Sequence, residues 1–201
     1  MNRVKKRFVS EFEISKSKFI SLLYPLNNKD EVKDILKEIQ KEYPKATHYC
    51  YAYVFDGASK SNDDGEPSKT AGRPILEVML HQELNRALLV VVRYFGGIKL
   101  GAGGLTRAYV QGATSVIDNA EIYVEEIRSI YRVTIDYSYI DLLNMYFKAN
   151  KCEMLNEEYE EKASFTISCV TLDKQELLNY LKGQVEIEFI KDELVLARKE
   201  N

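Results

Sequence analysis

ALLVVVRYFGGIKLGAGGLTRAYVQGATSVI, residues 87–117, decides how the rest of the chain is read. Ala87 to Phe95 is an apolar run interrupted by a single charge, Arg93, the pattern of a strand covered on both faces. Gly96 to Gly104 follows and holds five of the ten glycines in nine residues. Beyond it Leu105, Ala108, Tyr109, Gly112, Ala113 and Val116 recur at helical spacing. The order is strand, glycine loop, helix. Such a loop brings backbone N–H groups and a helix N-terminus together, which suits an anion such as phosphate, and Lys99 and Arg107 add positive charge. The same glycines also serve plain turns and tight backbone packing, so both readings stand at this point.

No standard nucleotide pattern is met. Gly96 to Gly101 has P-loop spacing, but Ala102 stands where lysine is required, and no Ser or Thr follows to hold a metal. Gly101-Ala102-Gly103 starts a dinucleotide fingerprint, whose third glycine position is Thr106. No cofactor is therefore expected.

Working outward, Lys16 to Leu26 reads as a strand closed by Pro25, and Asn28 stands three residues before Glu31, a capping-box spacing. Val32, Ile35, Leu36, Ile39 and Tyr43 then trace one face of a helix. His48 to Phe55 is an aromatic-rich strand. Asp56 to Thr70 is polar and almost free of apolar residues, and is expected to be one long exposed loop. Pro74 can open a helix carrying Ile75, Val78, Met79 and Leu80.

After Ala120 the texture changes to strand Arg132–Asp136, helix Tyr139–Ala149, strands Cys152–Tyr159 and Ala163–Thr171, helix Lys174–Leu181 and strand Val185–Val195. This is the βαββαβ order of a ferredoxin-like domain. The expected fold class is α+β in two domains, residues 1–127 and 128–201.

The 201 residues carry 28 Lys and Arg against 31 Asp and Glu, a net charge of −3, and 45% are hydrophobic. Enough apolar surface exists for a real core, which excludes a disordered chain. No apolar run approaches the roughly 20 residues of a membrane span. Glu11 and Glu13 fall where a signal peptide needs its apolar stretch, so the expected location is the cytoplasm and no membrane partner is expected. Three cysteines, Cys50, Cys152 and Cys169, form no C-x-x-C pair, so reduced thiols are expected rather than a disulfide framework. Two histidines, His48 and His81, are too few for a local zinc site, and no metal is expected there. Leu84 to Ile117 contains Arg86, Arg93, Lys99 and Arg107 and no acid, whereas residues 128–201 carry a net −4. An anionic partner explains the basic segment; so does a buried strand and helix, where acids are rare.

Two constellations could carry chemistry. Asp63, Asp64 and Glu66 place three carboxylates in four residues, beside Ser68 and Thr70, either as a Mg²⁺ or acid–base site or as a solvated turn ahead of a helix. Lys16, Lys18, Arg93, Lys99 and Arg107, interleaved with Tyr49, Tyr51, Tyr94 and Tyr109, could form a basic and aromatic surface for nucleic acid. Neither composition nor spacing completes a nucleophile–base arrangement, so an enzyme is the less favoured reading.

DDGEPSKTAGRPIL (63–76) and VVVRYFGGIKLGAGGLTRAY (90–109) together resemble the signature of the IMPACT family in its bacterial YigZ branch, in order from Lys16 to about Ala120. Lys69 departs from the pattern, which has glycine or another small residue there. The resemblance implies a first domain of ribosomal protein S5 domain 2-like fold and a ferredoxin-like second domain, a pairing similar to the last two domains of elongation factor G. In eukaryotic relatives it implies translational control, by restraint of an amino-acid-starvation kinase through its activator. It implies an anion or nucleic-acid surface of Arg93, Gly96, Gly97, Lys99, Gly101, Gly103, Gly104 and Arg107. Beside it lies a motif surface of His48, Asp63, Asp64, Glu66, Ser68, Thr70 and Arg73. The expected function is RNA or ribosome binding in regulation of translation, with a protein partner on the acidic second domain. The alternative is an enzyme acting on a phosphorylated small molecule or nucleotide at the glycine loop, with Mg²⁺ on the DDGE turn.

Overall fold

The structure, a computed structural model, describes residues 1–199. The chain divides into two compact units, Met1–Val124 and Glu125–Ala197, and Arg198 and Lys199 group with the first. Strand β7 (Tyr123–Ile135) leads from one to the other, so the expected division at 127/128 falls inside a continuous strand.

The first unit begins with β1 (Asn2–Arg3), which pairs with Tyr123 and Val124. Its main sheet is antiparallel, ordered β2-β3-β6-β4-β5, from β2 (Phe8–Ile14), β3 (Ser17–Pro25), β4 (His48–Phe55), β5 (Ala58–Asn62) and β6 (Ala87–Tyr94). Helix α1 (Glu31–Glu42) covers one face, and α2 (Gly72–His81) with α3 (Gly101–Asp118) covers the other. β6 alternates its side chains into both cores: Leu89 and Val91 toward α2 and α3, Leu88, Val90 and Val92 toward α1. Every residue from Ala87 to Arg93 is buried, and each Val or Leu contributes about 1.5–3 kcal/mol by leaving water. Asn28 holds the start of α1, its Oδ1 accepting the amides of Asp30 at 2.8 Å and Glu31 at 3.2 Å.

Two expectations in this unit are corrected. Residues 56–70 are not one exposed loop: Ala58–Asn62 is a strand that pairs with β4 around a two-residue Asp56-Gly57 turn, with φ of 46° and 84°. Positive φ at both turn residues matches the twist of the flanking strands, and an edge strand needs no apolar residues. β2, absent from the sequence reading, alternates half-buried and exposed residues along most of FVSEFEI and turns into β3 at Ser15-Lys16. The glycine segment also divides, because α3 starts at Gly101, not after Gly104.

The second unit continues β7 through a single 3-10 turn (Tyr137–Tyr139) into α4 (Ile140–Ala149). β8 (Glu153–Tyr159), β9 (Ala163–Cys169), α5 (Lys174–Tyr180) and β10 (Val185–Arg198) follow. The order is βαββαβ, with the sheet running β10-β7-β9-β8. Val133, Ile135, Phe165 and Ile167 meet Leu143, Phe147 and Leu177 in its core. Here the expectation of three reduced thiols is corrected: Cys152 and Cys169 form a disulfide, with Cα atoms 4.6 Å apart, and only Cys50 is free. The antiparallel β8–β9 register sets Glu153 opposite Ser168, which brings the two cysteines side by side although 17 residues separate them. Local spacing carries no trace of that long-range pairing.

Candidate functional site

The β4–β6 register sets His48 directly opposite Arg93, at the end of the sheet where the chain leaves β6 for the glycine segment. Opposed residues share a face, and these two share the α3 side with Cys50 and Val91. The 63–70 turn and residues 95–102 close over that end. They enclose a cavity of about 380 Å³, lined by His48, Glu66, Arg93, Phe95, Lys99 and the first turn of α3, with Thr47, Pro67, Leu100 and Leu105 completing the wall. Residues of both motif segments, 63–76 and 90–109, thus line one cavity. A wider groove of about 590 Å³ runs along the outer face of α3, but a single helix forms it and no buried charge lines it.

The turn is built by its first aspartate. Asp63 Oδ1 accepts the amides of Ala71 at 3.0 Å and Gly72 at 2.8 Å, and Oδ2 accepts that of Lys69 at 2.8 Å. One carboxylate therefore satisfies the open N-terminus of α2 and ties the turn to it. Asp64 Oδ2 accepts the Tyr49 amide at 2.6 Å, anchoring the turn to β4. The Thr70 hydroxyl donates to the Pro67 carbonyl at 2.6 Å. Lys69 has φ of 64°, the left-handed conformation in which glycine is unstrained.

Glu66 is the centre of a buried hydrogen-bond network. Its side chain is 3% exposed, and its Oε1 accepts from Arg93 Nη1 at 2.6 Å and from the Tyr109 hydroxyl at 2.8 Å. Arg93, 5% exposed in its side chain, has its guanidinium 5.4 Å from the Phe19 ring centroid and 5.3 Å from that of Phe95. Its Nη2 reaches Ser17 Oγ only at 3.4 Å, and its buried Nε has no acceptor among the described residues. The Cys50 thiol lies 3.3 Å from the Tyr109 hydroxyl and 3.0 Å from the Asp63 carbonyl. Burial pushes the ionisation of both the Cys50 thiol and the Tyr109 phenol well above their ordinary values, and the nearby Glu66 charge adds to it, so both stay neutral.

His48 Nδ1 lies 2.7 Å from the Asp64 carbonyl oxygen. A carbonyl only accepts, so Nδ1 carries the hydrogen, and in the neutral ring Nε2 is left as an acceptor, 3.9 Å from Glu66 Oε2.

Of the residues singled out in the sequence, His48, Glu66, Arg93, Lys99 and Gly101 line the cavity. Asp63, Asp64 and Thr70 support the turn through the bonds given above. Gly96 sits where a Cβ would come within 1.9 Å of the Lys16 backbone oxygen, and Gly97 has φ of 86°, so both shape the loop. Gly103 and Gly104 fall in the first turn of α3, where the Arg107 guanidinium lies 3.6 Å from the place of a Gly103 Cβ. Ser68 is exposed on the turn, and Arg73 pairs with Glu77 on α2 at 2.8 Å, outside the cavity wall. Sequence reading missed Thr47 and Phe95, which carry no signal beyond their place at strand ends. Among the described residues no three His, Cys, Asp or Glu side chains are grouped to hold a metal, and both oxygens of Asp63 are taken by amides.

The chain is similar to several known proteins. The Impact N-terminal domain model matches residues 15–117, from the end of β2 through nearly all of α3, and so contains both halves of the cavity. The IMPACT family member YvyE of Bacillus subtilis is 36% identical over 165 residues, covering 81% of this chain and 76% of its own length. The IMPACT family member YigZ of Escherichia coli is 31% identical over 155 residues, with coverages of 74% and 75%. A solved structure described as a crystal structure of a hypothetical protein aligns with a TM-score of 0.59 at 24% identity, over 94% of this chain and 97% of that one, and supports the fold alone. With the domain model spanning half the chain and relatives of similar length matching across both units, the chain belongs to the IMPACT family.

Proposed function

We propose that the first unit is an RNA-binding module that acts on RNA or at the ribosome in regulation of translation, with phosphate received at the start of α3. One observation carries the reading. The first turn of an 18-residue helix, with four open backbone N–H groups and no acid among its side chains, faces the same cavity as Lys99 and Arg93. The translational role follows the family resemblance. The acidic second unit is assigned a protein partner in the same proposal.

The test is co-sedimentation with ribosomes and with total RNA at low and high salt, comparing the wild type with Lys99→Ala/Arg107→Ala. Binding should weaken steeply with salt. The double substitution should abolish it, or lower the slope of log K against log salt by about 0.7–0.9 for each phosphate no longer neutralised. Binding that is salt-insensitive, or unchanged in the variant, overturns the proposal.

A further inference from the structure

Phosphate recognition at the mouth leaves the inner wall of the cavity without a task. That wall is polar. Glu66 spends Oε1 on Arg93 and Tyr109, and its Oε2 faces His48 Nε2 at 3.9 Å, too far for a hydrogen bond between them. In the neutral His48 ring both atoms are acceptors, set side by side where one ligand group with two hydrogens, or two adjacent donors, could satisfy them. Arg93 has the opposite need, since its nine-tenths buried side chain keeps an Nε–H with no acceptor among the described residues. Phe95 completes the set. It is 45% exposed, lines the cavity and has the Arg93 guanidinium 5.3 Å from its ring centroid. A ring so placed offers a platform on which a base can stack.

A volume of about 380 Å³ lies within the range of pockets that enclose small ligands and exceeds what one phosphate needs. Taking the RNA reading above as its basis, we infer that the cavity receives a single unpaired nucleotide. Its phosphate lies at the first turn of α3, its base stacks on Phe95, and either a base amino group or the adjacent 2′ and 3′ ribose hydroxyls donate to Glu66 and His48. A base held within a duplex offers neither its ring face nor its pairing edge, so the pocket selects single-stranded segments and ends.

The test uses the full chain and two kinds of probe. Nucleoside 5′-monophosphates (AMP, GMP, CMP, UMP and dCMP) are titrated while amide chemical shifts are followed, and a single-stranded RNA is compared with a duplex of the same length. Phe95→Ala and His48→Ala are the variants, with thermal unfolding as the folding control. The expected results are mononucleotide binding with shifts at residues 95–102, single strand preferred over duplex, and affinity about five- to a hundredfold lower in Phe95→Ala. CMP binding better than UMP assigns the acceptor pair to the base amino group, and CMP binding better than dCMP assigns it to the pair of ribose hydroxyls. Equal affinity for the three overturns the acceptor pair's role.

RNA binding without mononucleotide binding, indifferent to strandedness and to both variants, overturns the pocket inference and leaves the RNA reading intact. Mononucleotide binding without any RNA binding does the reverse. Neither kind of binding overturns both.

Discussion

Glu66→Leu removes the acceptor of two buried donors in one step. Arg93 Nη1 and the Tyr109 hydroxyl both end on the lost Oε1, at 2.6 and 2.8 Å, and the Arg93 side chain is 5% exposed. Breaking a buried ion pair from one side costs about 3–5 kcal/mol, because the remaining charge has neither water nor partner. The orphaned hydroxyl belongs to the same network, so its cost of about 1–3 kcal/mol overlaps with the first rather than adding in full. A loss of about 4 kcal/mol is expected. Arg93→Met made in the Glu66→Leu background should restore about 2 kcal/mol or more, since a flexible apolar chain fits between Phe19 and Phe95 and leaves no charge behind. Hydrogen exchange of the β6 amides is the assay, because it reports the opening free energy of the first unit without assuming that the two units unfold together. The reasoning is refuted if the double variant loses the sum of the two single losses, within about 0.5 kcal/mol.

Three further outcomes are expected. Asp63→Ala leaves the amides of Lys69, Ala71 and Gly72 without their acceptor and should cost about 3 kcal/mol in urea unfolding, with Asp63→Asn costing less because Oδ1 remains; a loss under about 0.5 kcal/mol would show that the turn is held by something else. Gly96→Ala drives a Cβ to 1.9 Å from the Lys16 backbone oxygen and should cost about 2 kcal/mol or more, whereas Gly97→Ala, with open space around it and φ of 86°, should cost about 1 kcal/mol; equal losses would contradict the close approach. Because burial raises the Cys50 ionisation, its stabilising contribution is complete below the unfolded thiol's value of about 8.5 and grows no further there, while above it the unfolded state gains by ionising and stability declines by up to about 1.4 kcal/mol per pH unit. Urea unfolding between pH 7 and 10 should show that decline in the wild type and a flatter profile in Cys50→Ala, and parallel profiles would contradict it.

Residues 87–117 revealed their structure early because burial on both faces of β6 leaves a continuous apolar run, and the face of α3 repeats at helical spacing. The βαββαβ order after Ala120 was legible from the alternation of β9 and the apolar faces of α4 and α5, although β8 is exposed along its whole length. β5 escaped because an exposed edge strand has no hydrophobic pattern to read, although the Asp56-Gly57 pair is itself a hairpin signal. β2 escaped because its alternation lies in a charged N-terminal segment.

At the site, the residue types were visible and their division of labour was not. Asp63, Asp64 and Glu66 look equivalent in the sequence. One caps a helix, one binds a strand amide and one is buried against Arg93, and only the fold separates them. The Cys152–Cys169 bridge depends on a strand register that no local spacing encodes.

The Lys199 amide donates to the Ile122 carbonyl at 2.8 Å, so the chain returns to the first unit beside the point where it left. Residues 125–197 thus form a segment that leaves and returns at neighbouring points. Such a segment can be exchanged or shortened without rerouting the strands that frame the cavity, whose lining lies within residues 47–105. It can equally be replaced in the laboratory by a reporter domain whose termini lie close together.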